Sequence, residues 1–177
     1  PSFDPVGVIG WLCYRCTVSV HNVTWSATAS AVGSTEVIER ALDWFTGGHA
    51  EISKEKVKSY HGAKMLMIHA RIMKKKAAKL SLAHLGVDFL QQLADKDELE
   101  PRIDDQNVLH IRLSLSALVK GSIEFSEGIE EQVKGRIKLE VYPGQDPVTN
   151  AHELLNRSVD FARNKGLPVE PGVEKFR

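Results

Sequence analysis

Val23-Thr24-Trp25-Ser26-Ala27-Thr28-Ala29-Ser30-Ala31 alternates without exception, apolar at the odd positions and hydroxyl-bearing at the even ones. Side chains of a strand point to opposite faces with period two, so this stretch reads as a strand buried on one side only. Such a strand belongs to an antiparallel sheet covered on one face and polar on the other. Upstream, Val18 and Val20 fall in the opposite phase, and one strand can hold both segments only with a bulge near His21 or Asn22. Downstream, Gly33-Ser34 offers a turn and an N-cap, and Glu36 suits the dipole of the helix that follows. Val37, Ile38, Ala41, Leu42 and Phe45 form that helix's apolar stripe, with Trp44 at the core edge and Gly47-Gly48 as the stop.

The next segments continue the pattern. Glu51 to Tyr60 alternates weakly and is rich in lysine, as an edge strand is. After a break at His61-Gly62, Met65 to Met73 is apolar at nearly every position, which predicts a central strand with its methionines in the core. A long helix is expected from Lys74-Lys75-Lys76 through about Ala94, with Ala78, Leu82, Leu85, Phe89 and Leu93 on one face. Gly86 within it is a defect of ~1 kcal/mol relative to Ala. Pro101 and Asp104-Asp105 make a turn before the alternating Leu109, Ile111, Leu113 and Leu115. Gly121 to Phe125 and Val133 to Tyr142 read as two further strands, and Asp146-Pro147 caps a closing helix carrying Ala151, Leu154, Leu155, Val159 and Ala162. The expected fold class is a two-layer α+β domain: a mostly antiparallel sheet with helices packed on one face. It is a single domain over residues 1–177 with its core at about 18–165, and 1–16 and 166–177 are peripheral, the tail after Gly166 being loosely held.

A chain of 177 residues, 42% apolar and 26% charged, has the composition of an ordinary globular protein. At this size roughly 70% of the unfolded surface leaves water on folding. No apolar run approaches the ~20 residues of a membrane helix, and the opening Pro1 to Trp11 lacks the basic start of a signal peptide. Two cysteines in all suit a reducing cytoplasm, the expected location. Cys13 and Cys16 are half a zinc site with no second half, and they precede a strand where a redox pair would open a helix, so no metal or cofactor is expected. The chain has no Gly-rich phosphate loop, no Gly-x-Ser-x-Gly elbow and no His-Glu-x-x-His helix. Asp104-Asp105 is read as a turn pair, and catalysis is not indicated.

Charge is the remaining signal. Lys54 to Lys79 holds nine Lys and Arg against the single acid Glu55, whereas residues 80 to 105 hold seven Asp and Glu against Lys96 and Arg102. A chain of zero net charge sorted this sharply has either a basic patch for a phosphate backbone or a solvated charged face. The candidate RNA-binding residues from the basic stretch are Lys64, Arg71, Lys74, Lys75, Lys76 and Lys79. The lysines of 74–76 crowd a helix N-terminus, the wrong end for the dipole, which points to function. His110, Arg112, Lys134, Arg136 and Lys138 complete the set, projecting from the polar sides of two strands. No strand carries interleaved aromatic residues for stacking bases, so binding would lean on phosphates and RNA shape and be strongly salt-dependent.

Several short stretches, in order and spacing, also carry a family likeness. They are Val20-His21-Asn22-Val23, Gly33-Ser34-Thr35-Glu36-Val37, His61-Gly62, Arg102-Ile103-Asp104-Asp105 ahead of Leu109-His110-Ile111-Arg112-Leu113, and Ile137-Lys138-Leu139-Glu140-Val141-Tyr142-Pro143. Through them the chain from about Val20 to Ser158 resembles a small archaeal RNA-binding family linked to the exosome. That family's fold is like that of the large-subunit ribosomal protein that binds 5S rRNA. The resemblance implies structured RNA as partner, with the exosome or other RNA-processing proteins beside it, and no membrane. After Arg112-Leu113 the family continues with Asp-Lys-Gln and a small residue, whereas this chain reads Ser114-Leu115-Ser116-Ala117. The alternative reading is a protein-interaction module of the same fold that has lost its RNA contacts.

Overall fold

The computed structural model describes residues 18–30, 35–128 and 130–169. Cys13, Cys16, the Gly33-Ser34 cap and Pro171 lie outside the described residues. In chain order the elements are β1 (Ser19–Ser30), α1 (Thr35–Phe45), β2 (Glu51–Lys58), β3 (Lys64–Ile72), α2 (Lys75–Ala83) and α3 (Val87–Leu93). There follow α4 (Lys96–Leu99), a 3-10 turn (Glu100–Arg102), β4 (Val108–Ser114), α5 (Leu115–Val119), β5 (Gln132–Glu140) and α6 (Pro147–Lys165). The strands form one antiparallel sheet in the order β2-β3-β1-β5-β4, and the helices pack against it in an α+β arrangement.

The alternation of β1 works as the physics requires. Val23, Trp25, Ala27 and Ala29 are buried beneath the helices, whereas Thr24, Ser26 and Thr28 are only half-buried on the other side. The register between β1 and β5 shifts between Val20 and Asn22, so His21 is extruded and exposed while Val18 and Val20 stay in the core. Trp25 lies opposite Gly135 of β5 and meets Phe45 of α1 edge-on at 4.8 Å. A Cβ at Gly135 would stand 2.3 Å from the Trp25 ring, so glycine is what lets the indole lie against the sheet. Helix α6 starts as expected: the Asp146 carboxylate accepts from Thr149 N at 3.0 Å and from the Thr149 hydroxyl at 2.7 Å, with Pro147 in the first turn.

Four expectations change. The long helix from Lys74 to Ala94 is two helices, α2 and α3, because Gly86 between them has φ +89°, a region closed to most L-residues. A Cβ there would also meet Pro168 Cδ at 2.8 Å. The strand expected over Gly121–Phe125 is absent. Alternation stops at Ser114, whose hydroxyl accepts from Ala117 N at 3.2 Å and caps α5, so Leu115 enters the core from a helix. Phe125 keeps one isolated bridge to Leu113 and is held by its side chain, stacked on Phe89 at 4.2 Å beneath the Arg102 guanidinium. The methionines are not core: Met65 and Met67 take the phase opposite to Ile68, Ala70 and Ile72, and Met73 is exposed. Finally, the residues just after Gly166 are docked, with the Trp44 indole N–H donating to the Val169 carbonyl at 2.8 Å. Strand β2 is the edge strand expected, and β3 is interior, between β2 and β1.

Candidate nucleic-acid interface

Directly opposed residues of antiparallel strands point to the same face. Pairing therefore lines up Arg71, Thr24, Arg136 and His110 in one row across β3, β1, β5 and β4. A second row holds His69, Ser26, Lys134 and Arg112, and a third holds Asn22, Lys138 and Val108. All three rows lie on the face that the helices leave open. With strands about 4.8 Å apart, Arg71 and Arg136 stand roughly 10 Å apart at their Cα atoms, with the Thr24 hydroxyl between them. The rows border a depression of about 540 Å³ whose wall includes Asn22, Thr24, Ser26, His69, Arg71, Arg136 and Lys138.

Arg71, Arg112, Lys134 and Arg136 are exposed, and among the described residues no carboxylate lies within ion-pair distance of any of them. Several cations elsewhere are paired: Lys54 with Glu39 at 2.5 Å, Arg102 with Glu98 at 3.2 Å, Arg157 with Glu153 at 2.5 Å. The open face thus keeps positive charge that the fold does not neutralise. Exposed acids of the 80–105 stretch (Asp88 on α3, Asp97 and Glu98 on α4, and Glu100) fall on the helix layer. The open face also carries exposed acids on β2, Glu51 opposite Arg71 and Glu55 beside His69, so the charge is sorted between the layers only in part, and it is the local cluster of Arg71, Arg112, Lys134 and Arg136 that attracts a polyanion.

His110 and Lys138 are on this face but already engaged. His110 Nε2 lies 2.7 Å from Asp104 Oδ2, while Asp104 Oδ1 accepts from the backbone N–H groups of Gln106 at 2.9 Å and Val108 at 3.0 Å. The His110 hydrogen bond, followed by that from Val108, holds the Asp104 carboxyl below its ordinary range. The Lys138 ammonium donates to the Gln106 carbonyl. Both side chains brace the 104–107 turn at the rim of the depression. His69, a polar residue of β3 on this face, has Nδ1 2.8 Å from the Ser26 hydroxyl and Nε2 3.4 Å from Glu55.

The lysines of the basic stretch do not form one patch. Lys75 donates to Glu140 Oε1 at 2.8 Å, and the Tyr142 hydroxyl donates to the same oxygen at 2.8 Å. The Lys75 bond, then that of Tyr142, pulls the Glu140 pKa down to about 2, and Glu140 in turn raises Lys75 and Tyr142. Lys75 is therefore a latch between the start of α2 and the end of β5, which gives one lysine at the wrong end of a helix a structural reason. Lys74 and Lys76 are exposed and Lys79 is half-buried on α2. Lys64 sits at the far end of the nine-residue β3, roughly 30 Å from Lys74, and pairs with Lys58 in the phase opposite to Arg71.

Among the described residues, no three His, Cys, Asp or Glu side chains are grouped so as to hold a metal ion, and no helix is long and apolar enough to cross a membrane.

A family model described as RNA binding matches residues 22–141, a span that includes every row of the open face. The fold is similar to that of a DUF54 protein from Methanothermobacter thermautotrophicus, with a TM-score of 0.60 and 22% identity over 80% of this chain and 98% of that one. A DUF54 protein from Archaeglobus fulgidus matches with a TM-score of 0.60 and 24% identity over 82% of this chain and 98% of that one. A UPF0201 protein from Methanococcus jannaschii matches with a TM-score of 0.52 and 12% identity over 76% of this chain and 98% of that one. No curated protein matches the sequence at a significant level. At these identities the structural likeness is one of fold.

Proposed function

The chain belongs to the family described as RNA binding, and on that premise we propose that it binds structured RNA, without catalysis, through the open face of its sheet. The observation that carries this reading is the set of exposed cations Arg71, Arg112, Lys134 and Arg136, in adjacent register rows and with no carboxylate partner among the described residues. A phosphate backbone supplies the missing counter-charge, and the hydroxyls of Thr24 and Ser26 between the cations suit phosphate oxygens and ribose 2′-hydroxyls. Lys74, Lys76 and Lys79 extend the contact at the α2 end, whereas Lys75, His110 and Lys138 hold its frame. A fold like that of the 5S-rRNA-binding ribosomal protein, a cytoplasmic location and an association with the exosome are parts of the same reading, supported by the family resemblance.

Fluorescence anisotropy with a structured RNA and a matched DNA duplex, at several salt concentrations, tests it. Wild type is compared with Arg71→Gln/Lys134→Gln/Arg136→Gln and with Arg157→Gln/Arg163→Gln on the helix layer. The open-face variant should bind more weakly and lose about 2 to 3 from the slope of log K against log salt, since each phosphate contact contributes roughly 0.7–0.9. The helix-layer variant should behave as wild type. Equal losses in both variants, or none in either, would remove the open face as the interface and favour the protein-interaction module.

A further inference from the structure

The β2–β3 hairpin ends in features the open face does not use. Pairing of β2 with β3 runs on to Lys58 opposite Lys64, one pair beyond the last contact of β3 with β1 at Met65. The turn is firmly built: Ser59 N donates to the Ala63 carbonyl at 2.8 Å, Gly62 N to the Ser59 carbonyl at 2.8 Å, and Ala63 N to the Ser59 hydroxyl at 3.0 Å. On this turn Tyr60 is 100% exposed, and among the described residues only the ring of His61 meets it, edge-on at 5.4 Å. A whole aromatic ring in water contributes nothing to the core. Like charges directly opposed, as Lys58 and Lys64 are, oppose strand pairing. Residues 56 to 66 contain no acid to relieve them. Beside the turn, the lysine stems with Val57, Met65 and Leu66 line an apolar depression of about 390 Å³.

A ligand that rewards both features carries a flat π-face and negative charge on either side of it, as an unpaired nucleotide within a polynucleotide does. We propose that the hairpin tip is a second RNA contact that takes an unpaired nucleotide, Tyr60 stacking on the base while Lys58 and Lys64 hold the flanking phosphates. This rests on the RNA-binding reading and deepens it. The open-face positions Met67, His69 and Arg71 run along β3 from the tip toward α2, so a helix docked on the sheet would bring a loop or bulge within reach of Tyr60. It also returns a role to Lys64, which the open face leaves out.

Two RNA probes decide it: a perfect duplex, and the same duplex interrupted by an unpaired loop. The full chain is compared as wild type, Tyr60→Ala, Tyr60→Phe, Lys58→Gln/Lys64→Gln and the open-face triple variant. Wild type should prefer the looped RNA. Tyr60→Ala should bind it between about fivefold and a hundredfold more weakly while keeping its duplex affinity, because stacking a base on an aromatic ring is worth that much. Tyr60→Phe, which keeps the ring, should keep the preference, and the lysine variant should weaken it and lower the salt slope for the looped probe. If Tyr60→Ala leaves looped-RNA binding unchanged, or Tyr60→Phe fails as badly as Tyr60→Ala, the tip is not a base-stacking site and a protein partner becomes its better occupant. That result, alongside duplex binding that the open-face variant abolishes, would overturn this inference alone. Binding of neither RNA by wild type would overturn the RNA reading with it.

Discussion

Gly135→Ala is the substitution for which the structure makes the sharpest demand. The new methyl would stand 2.3 Å from Cζ3, 2.6 Å from Cε3 and 2.8 Å from Cη2 of Trp25, against a comfortable carbon–carbon separation of about 3.5 Å. The ring must therefore move by about 1 Å. It has little room to do so, since Trp25 is 2% exposed and Phe45, edge-on behind it, is 1% exposed. The backbone is equally constrained, because β5 is paired to β1 on one side and β4 on the other. Overpacking of a formed core costs about 1–3 kcal/mol. Replacing glycine within a strand returns about 0.5–1 kcal/mol of backbone entropy. The net expectation is a loss of about 1–2 kcal/mol, or about 2–8 °C in Tm for a chain of this size. Urea denaturation followed by circular dichroism should show a lower midpoint with an unchanged m-value. Trp25→Leu in the Gly135→Ala background should cost less than the sum of the single changes, because the smaller side chain vacates the contact. A Gly135→Ala protein as stable as wild type, or strictly additive behaviour in the double variant, would refute the packing argument. Lys134 and Arg136 flank this position, so RNA binding well below the melting point should survive, separating scaffold from interface.

The Lys75–Glu140–Tyr142 latch is acid-sensitive. Glu140's folded pKa of about 2 lies below its ordinary 4.5, so its contribution is present above pH 4.5 and is lost as pH falls toward 2. Melting temperatures of wild type should fall more steeply across that window than those of Glu140→Gln, and parallel curves would argue against the latch. Burial, and then the neighbouring His49, lowers the pKa of His84 below 6.5, so this imidazole stabilises the fold above pH 6.5 and progressively less as pH drops. His84→Gln should flatten the Tm profile just below pH 6.5; a profile identical to wild type would count against the half-buried neutral imidazole. Gly86→Ala combines φ +89° with a 2.8 Å approach to Pro168 Cδ and should cost about 1–3 kcal/mol, read as a lower urea midpoint. Stability equal to wild type there would mean that the break between α2 and α3 does not need glycine.

Patterns whose period is set by the backbone itself were readable along the chain. The pleat alone decides that Trp25 and Thr24 face opposite ways, that a bulge must sit near His21, and that Lys134, Arg136 and Lys138 share a side. The same logic located the Asp146-Pro147 cap and the edge character of β2. Strand β3 shows where such reading ends. Both phases of Met65–Met73 are largely apolar, so the alternation does not tell which side of the strand the helices cover, and only packing puts the methionines outside the core.

The sequence by itself determined a half-buried antiparallel sheet with helices on one side, and a basic character for the polar side of β4 and β5. Local pleat and capping chemistry act within a few residues and need no partner. Only the tertiary structure decided that Arg71 joins Arg136 across Thr24, and that Lys64 lies on the other side of the sheet from Arg71. It alone decided that Lys75 is tied to Glu140 and that the chain breaks at Gly86 against Pro168. Those facts depend on strand order and register between segments tens of residues apart, which long-range packing selects and which no local pattern encodes.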